Sequence, residues 1–208
     1  MIVPDGHPAA FGTAADGDGR SDDAARSAIS ASLGIPTDWG IVRQVHGSDV
    51  AVADTPGHLG EADGIITTRS GLPLAVATAD CLPVVLSGPR GVGIAHAGWR
   101  GAAAGVVGAV RAALTAAGAP PSRAAVGPGI GPCCFEVGPE VAGRFPGRTG
   151  TTTWGTASVD LPGAVTDELD GLEVWQSGAC THHDDAFHSF RRDGTALRQV
   201  AVTWLSPA

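Results

Sequence analysis

From Ile41 onward the chain is written in short apolar runs cut by glycine, proline and small polar residues. The pattern predicts strands over residues 41–45, 50–53, 64–67, 74–79, 84–87 and 92–95. Several are apolar at consecutive positions rather than alternate ones, as in Leu74-Ala-Val-Ala and Val84-Val-Leu. Strands of that kind are covered on both faces, so further layers must pack against them. The clearest helix spans 101–117, Ala-rich and closed by Gly118 ahead of Pro120 and Pro121. A second runs over 24–33, with Ser21 as its cap and Gly34 as its stop. Shorter helices are expected at 136–145 and 161–169, and strands at 124–126, 172–176 and 199–205. No internal repeat or long linker divides the chain. The expected architecture is α/β or α+β: one domain over 1–208, a mixed sheet flanked by helices. Residues 1–40 stand apart as a polar, Asp- and Gly-rich opening.

At 208 residues the chain suits one domain with a substantial core. Its formal net charge is −8, and every basic residue is an arginine. An acidic chain without a basic stripe argues against a nucleic-acid partner, although local arginines can still hold a small anion. Lys, Tyr and Asn are absent, which removes a Schiff-base lysine, a tyrosine acid and an asparagine oxyanion donor. No run approaches the roughly 18 apolar residues of a membrane span, and no signal peptide is legible. The four cysteines, Cys81, Cys133, Cys134 and Cys180, form no CxxC pair. A cytoplasmic protein with reduced thiols is expected, a monomer or small homo-oligomer acting on small molecules.

Three residues that can bind metal stand near the ends of separate apolar runs: His46, Cys81 and His96. Two imidazoles and a thiolate make a three-ligand zinc set with a fourth position open to water or substrate, the layout of a catalytic site. The bland alternative is two hydrogen-bonded histidines and a core thiol. Directly after His96 comes Ala-Gly-Trp-Arg-Gly and the long helix, whose first turn offers unpaired N–H groups to an anion. Arg100 would stand there as a phosphate or carboxylate contact, or form a surface ion pair while Trp99 fills the core. Asp63 and Asp80 are the nearest carboxylates, each able to orient a histidine or act as a base; for Asp63, a turn role before Gly64 competes. Of Cys133 and Cys134, one is expected buried and the other in a pocket, with no bond between them because adjacent cysteines bridge only with strain. The run Thr181-His-His-Asp-Asp-Ala-Phe-His reads as a solvated loop, followed by Arg191-Arg192 as a second anion contact or a charged surface pair.

Gln44-Val-His-Gly, Ala62-Asp-Gly, Ala79-Asp-Cys-Leu-Pro, His96-Ala-Gly-Trp-Arg-Gly, Gly127-Pro-Gly-Ile-Gly-Pro-Cys-Cys-Phe-Glu-Val-Gly, Asp160-Leu, Cys180-Thr and Ser189-Phe-Arg-Arg-Asp-Gly together resemble the YfiH-type family, also called the laccase-domain or polyphenol oxidase family. The resemblance implies a single-domain α/β fold with zinc on His46, Cys81 and His96. It implies purine nucleoside phosphorolysis, with adenosine deamination as a companion activity. On that reading the catalytic set is His46, Cys81, His96 and Arg100, and the substrate contacts are Arg100, Gln44, Asp63, Cys133 and Arg191, for a purine nucleoside and phosphate. The chain departs from the family at its opening, where Phe11-Gly-Thr-Ala-Ala-Asp-Gly lacks the usual arginine, and after Asp160-Leu, where the common Asn is missing.

The same resemblance implies other functions as alternatives. One is amide hydrolysis of an L-serine-containing cell-wall precursor, for which the residues offer a zinc-bound hydroxide or Cys81 as nucleophile. Copper-dependent polyphenol oxidation fits less well, because a multicopper site needs more histidines than one His/Cys/His set. A zinc-stabilised binding domain would need a fourth ligand, from Cys133, Cys134 or a histidine of the 182–188 loop.

Overall fold

The computed structural model describes residues 1–206. In chain order its main elements are β1 (Ala9–Phe11), α1 (Asp23–Leu33), β2 (Gly40–Arg43), β3 (Val50–Val52), β4 (Gly57–Glu61), β5 (Gly64–Thr67), β6 (Leu74–Thr78), β7 (Leu82–Gly88) and β8 (Gly91–Ala97). There follow α2 (Trp99–Ala103), α3 (Val106–Ala116), β9 (Arg123–Val126), α4 (Pro139–Ala142), β10 (Thr149–Thr151), β11 (Ala157–Val159), α5 (Leu161–Asp167), β12 (Glu173–Gln176), α6 (Phe190–Asp193) and β13 (Gln199–Thr203).

The strands divide between two mixed sheets and a small hairpin of β10 and β11. One sheet has the order β1-β13-β6-β2-β4 and the other β12-β9-β7-β8-β5-β3. Phe11, Val42, Leu74, Val76, Ile65, Val85 and Ile94 meet between them in an apolar core. The outer face of the six-stranded sheet packs on Val106, Val107, Val110 and Leu114 of α3 and on Leu161 and Val165 of α5. Ile29 of α1 and Trp39 cover Ala75, Val200 and Val202 on the other side. The result is a helix–sheet–sheet–helix stack, which explains why the central runs are apolar at every position. Each fully buried Val, Ile or Leu there contributes about 1.5–3 kcal/mol by leaving water. Among the described residues no helix is long and apolar enough to cross a membrane.

The mixed α/β architecture expected from the sequence is present, distributed over two sheets. Helix α1 is capped by Asp22, whose carboxylate accepts from the N–H of Ala24 and Ala25, and not by Ser21. The helix expected over 101–117 is two helices, because Gly105 adopts φ 78°, ψ 35° and breaks the ladder. Of the helix expected at 136–145 only the single turn α4 forms. Strand β4, Gly-His-Leu-Gly-Glu, is exposed and carries no apolar alternation that could have announced it.

Two passages of chain cross from one sheet to the other at the same end of the stack. One joins β2 to β3 and carries His46. The other, Ala79-Asp80-Cys81, joins β6 to β7. Strand β8 runs beside β7 with His96 opposite Pro83, which brings all three residues to that end.

Candidate metal centre and its cavity

The ligand atoms of His46, Cys81 and His96 lie within 4.8 Å of one another. The two imidazole rings meet edge to face, with centroids 4.8 Å apart. Their burial is graded: His96 is buried, Cys81 half-buried and His46 exposed, so the group opens to solvent on one side. Both crossing passages include a non-glycine residue in the left-handed region, His46 at φ 63° and Asp80 at φ 88°. Such backbone costs on the order of 1–3 kcal/mol each and persists only where its surroundings hold it.

Asp63 is what holds the first passage. It continues the β5–β8 ladder beyond the pair Gly64–Ala95, so that it faces His96. Its Oδ1 accepts from His96 Nδ1 at 2.7 Å. The same carboxylate accepts from the backbone N–H of Val45 (3.1 Å), His46 (2.9 Å) and Gly47 (2.6 Å). One buried carboxylate therefore fixes a ring and a loop, and leaves His96 Nε2 free for the site. Burial resists its ionisation, but the bonds from His96 and the loop N–H groups outweigh that and hold its pKa below the ordinary carboxylate range.

Asp80 serves the second passage. Its Oδ1 accepts from the Thr181 hydroxyl and its Oδ2 from the Arg191 N–H, both at 2.7 Å. It orients no histidine; it ties the segment around residues 181–191 to the mouth of the site. Gly98 supplies the clearance the site needs, since a Cβ there would stand 2.8 Å from Cys81 Sγ and 3.0 Å from His46 Cδ2.

Burial alone would raise the Cys81 pKa, yet hydrogen bonding and positive charge from His46 and His96 bring it down to about 6. Burial alone would lower that of His96, yet Asp63 and the Cys81 sulfur lift it to about 9. The site is thus electrostatically arranged for a thiolate beside positive charge. A cation answers the same field, so the donor set fits a transition metal.

Above the group lies a cavity of about 600 Å³, of the size that takes small ligands. His46, Cys81 and His96 line it together with Gln44, Asp80, Arg100 and Arg191. Three further arginines line it that sequence reasoning missed: Arg20, Arg43 and Arg198. Its apolar wall includes Trp99, Ile130, Phe135 and Phe190. Five guanidinium groups line one cavity in a chain of net charge −8, two of them paired with carboxylates, Arg20 with Asp18 and Arg43 with Glu61. Arg20 comes from the polar opening segment, where Asp18 pairs with it at 3.2 Å and its guanidinium donates to Gln44. The Gln44 amide also bonds both the N–H and the carbonyl of Ala77, knitting β2 to β6. Nothing in the Asp-Gly pattern around Arg20 distinguishes it from a surface residue.

Two expected contacts lie elsewhere. Asp63 is fully buried behind His96, and Cys133 belongs to a separate group with Cys134 and Cys180; neither lines the cavity. The anion site expected at the start of a long helix is also altered. Arg100 sits on α2, a helix of only five residues, and its guanidinium stacks 4.4 Å from the Trp99 ring centroid. Positive charge at this place therefore comes from the arginines rather than from a long helix dipole.

Fold and site together define a two-sheet α/β protein with a His/Cys/His group at the foot of an arginine-lined cavity. The chain belongs to the multi-copper polyphenol oxidoreductase laccase family, whose match covers residues 11–206. It is 44% identical over 179 residues to the purine nucleoside phosphorylase ORF3 of Streptomyces griseus, spanning 79% of this chain and 73% of that one. It is 40% identical over 195 residues to a purine nucleoside phosphorylase of Streptomyces coelicolor, spanning 86% and 81%. Among solved structures it is similar to YlmD from Geobacillus stearothermophilus, with a TM-score of 0.81 and 30% identity over 91% of this chain and 82% of that one.

Proposed function

We propose that this protein is a zinc-dependent purine nucleoside phosphorylase, cleaving adenosine-type nucleosides with phosphate to the free base and ribose 1-phosphate. The observation that carries the reading is the joining of three things in one cavity: the His46/Cys81/His96 group, five arginines and an aromatic wall. The names of the Streptomyces relatives support the same reaction.

His46, Cys81 and His96 would hold zinc, a borderline-soft ion that accepts two imidazoles and a thiolate and keeps a fourth position open. When bound, it supplies Lewis acidity toward an oxygen placed at that position. The chain's own residues do the rest. Arg100 and Arg191 bind and orient phosphate, with Arg20, Arg43 and Arg198 adding to the field that draws it in. Arg191 is held for this by its own backbone bond to Asp80 and by its guanidinium bond to the Glu136 carbonyl at 2.6 Å. Trp99, Ile130 and Phe135 give the flat apolar surface that a purine ring needs. Asp63 acts through His96 and the loop, as a positioning residue. Adenosine deamination uses the same ligands, with water in place of phosphate.

Oxidation of phenols, the activity in the family's name, would need several copper ions held largely by histidine, and among the described residues only one of the two groups of three or more His/Cys/Asp/Glu side chains close enough to share an ion contains histidine.

The test is incubation of metal-quantified protein with adenosine, with and without phosphate, followed by chromatography. Phosphate-dependent adenine and ribose 1-phosphate are the expected products, and inosine formed without phosphate would add deamination. No turnover of any purine nucleoside by stoichiometrically zinc-loaded protein would overturn the proposal and turn attention to amide hydrolysis of a cell-wall precursor.

A further inference from the structure

A second thiol-bearing group lies outside the cavity lining, on loops that adjoin it through Ile130 and Phe135. The sulfurs of Cys133, Cys134 and Cys180 lie within 4.8 Å of one another. Cys133 Sγ is 3.0 Å from Cys134 Sγ and 3.6 Å from Cys180 Sγ. Ordinary core cysteines are scattered singly among aliphatic neighbours. Here the chain brings three sulfurs together from two loops distant in sequence.

The two loops are fastened to each other, which makes the group a fixed one. Gly129 and Cys180 form a parallel bridge, and Thr181 N–H donates to the Gly129 carbonyl at 3.0 Å. On the other loop, the N–H groups of Cys134 and Phe135 both return to the Gly131 carbonyl at 3.0 Å. Thr153 N–H holds the Cys133 carbonyl at 2.9 Å. The Gly131 N–H points at the Cys180 sulfur, 3.2 Å away. Cys134 is buried while Cys133 and Cys180 are half-buried, so the group has a closed floor and an open approach.

We propose that Cys133, Cys134 and Cys180 form a three-thiolate binding site for a soft cuprous ion, separate from the His46/Cys81/His96 centre. Three features of the group favour this cation. Every donor is sulfur, and thiolates select soft ions. The donors number three, with no histidine or carboxylate in range among the described residues to complete the four ligands that a structural zinc site takes. The sulfurs are already near enough for one ion to bridge them after small side-chain rotations. A disulfide between the neighbours Cys133 and Cys134 would be strained, which leaves their thiols available. Binding exchanges the thiol protons for the cation, and those protons pass to solvent. The Gly131 N–H aimed at the Cys180 sulfur at 3.2 Å would stabilise negative charge on it.

The experiment is anaerobic titration of the full-length, reduced protein with Cu(I) against the competing chelator bicinchoninate. The near-ultraviolet thiolate-to-copper charge-transfer band is followed alongside metal content. The Cys81→Ala variant, which removes the thiolate of the first centre, should still take one equivalent from the chelator with that band. Cys133→Ser and Cys180→Ser, each made in wild-type and in Cys81→Ala protein, should lose that equivalent while circular dichroism shows the fold retained. If Cys81→Ala is unstable, the comparison of wild type with Cys180→Ser still decides, because the second variant should bind one equivalent fewer. Copper uptake unchanged by Cys133→Ser and Cys180→Ser would overturn the proposal. So would a group that takes Zn(II) but leaves Cu(I) with the chelator, or one found by thiol counting to be oxidised to a disulfide as purified.

Discussion

The carboxylate of Asp63 meets the ring of His96 at 2.7 Å while its other contacts hold the backbone of residues 45–47. Both histidines of the candidate centre therefore depend on one residue that touches neither the cavity nor solvent. Asp63→Asn keeps the shape but turns an NH2 group toward N–H donors, leaving buried groups unmatched. We expect a loss of about 1–3 kcal/mol in stability and a 10- to 100-fold fall in metal affinity. Chemical denaturation and a zinc competition titration measure the two effects. Unchanged zinc affinity in a folded variant would show that the carboxylate does not position the ligands.

Gly98 supports the same centre by absence of bulk. A methyl group there would meet Cys81 Sγ at 2.8 Å and His46 Cδ2 at 3.0 Å, both atoms of the ligands themselves. Gly98→Ala should cost about 1–3 kcal/mol by overpacking and displace one ligand, lowering zinc content and nucleoside turnover together. Metal analysis on the folded, purified variant reads this directly. Full zinc content with full turnover would show that the ligands can shift to make room.

These two residues also mark how far the sequence could be read. The strand residues were legible because continuous apolar runs such as Leu74–Thr78 and Leu82–Gly88 have few other uses. His46, Cys81 and His96 were legible as residue types at run ends. Their convergence was not, because it follows from two chain passages between stacked sheets, a relation carried by no local pattern. Asp63 read equally well as a turn residue, since its role depends on a partner 33 residues away. Gly105 hid a helix break because a glycine inside a helical pattern is tolerated, and only its left-handed backbone separates α2 from α3. Arg20, Arg43 and Arg198 were invisible as cavity residues, because an arginine in a polar segment reads as surface until the fold aims it inward.

Arg100 separates anion binding from structure. It is exposed, stacks on Trp99 and makes no ion pair among the described residues. Arg100→Gln should leave stability within about 0.5 kcal/mol of wild type, as surface changes do. A lost charged hydrogen bond to phosphate, about 1.5–3 kcal/mol, corresponds to roughly a 10- to 150-fold rise in the phosphate KM. Steady-state kinetics at varied phosphate and fixed nucleoside measures it. A raised nucleoside KM with an unchanged phosphate KM would assign Arg100 to the other substrate.

Glu168 offers a stability test remote from the centre. At the C-terminal end of α5, its Oε2 accepts from the Gly108 N–H in the first turn of α3 at 3.0 Å, tying the helix layer together. Burial raises its pKa, and the bond from Gly108 only partly opposes that shift. A carboxyl whose pKa is higher folded than unfolded holds its proton more tightly in the native state. Its stabilising contribution is complete below the unfolded value, near pH 4, and is lost as pH rises through the folded value. Glu168→Gln keeps an oxygen for the Gly108 N–H and abolishes the titration. The variant should therefore gain stability relative to wild type as pH increases from about 4 to 7. Urea midpoints across that range provide the measurement, and a difference that stays flat or falls with pH would show that the native carboxylate is not disfavoured by its burial.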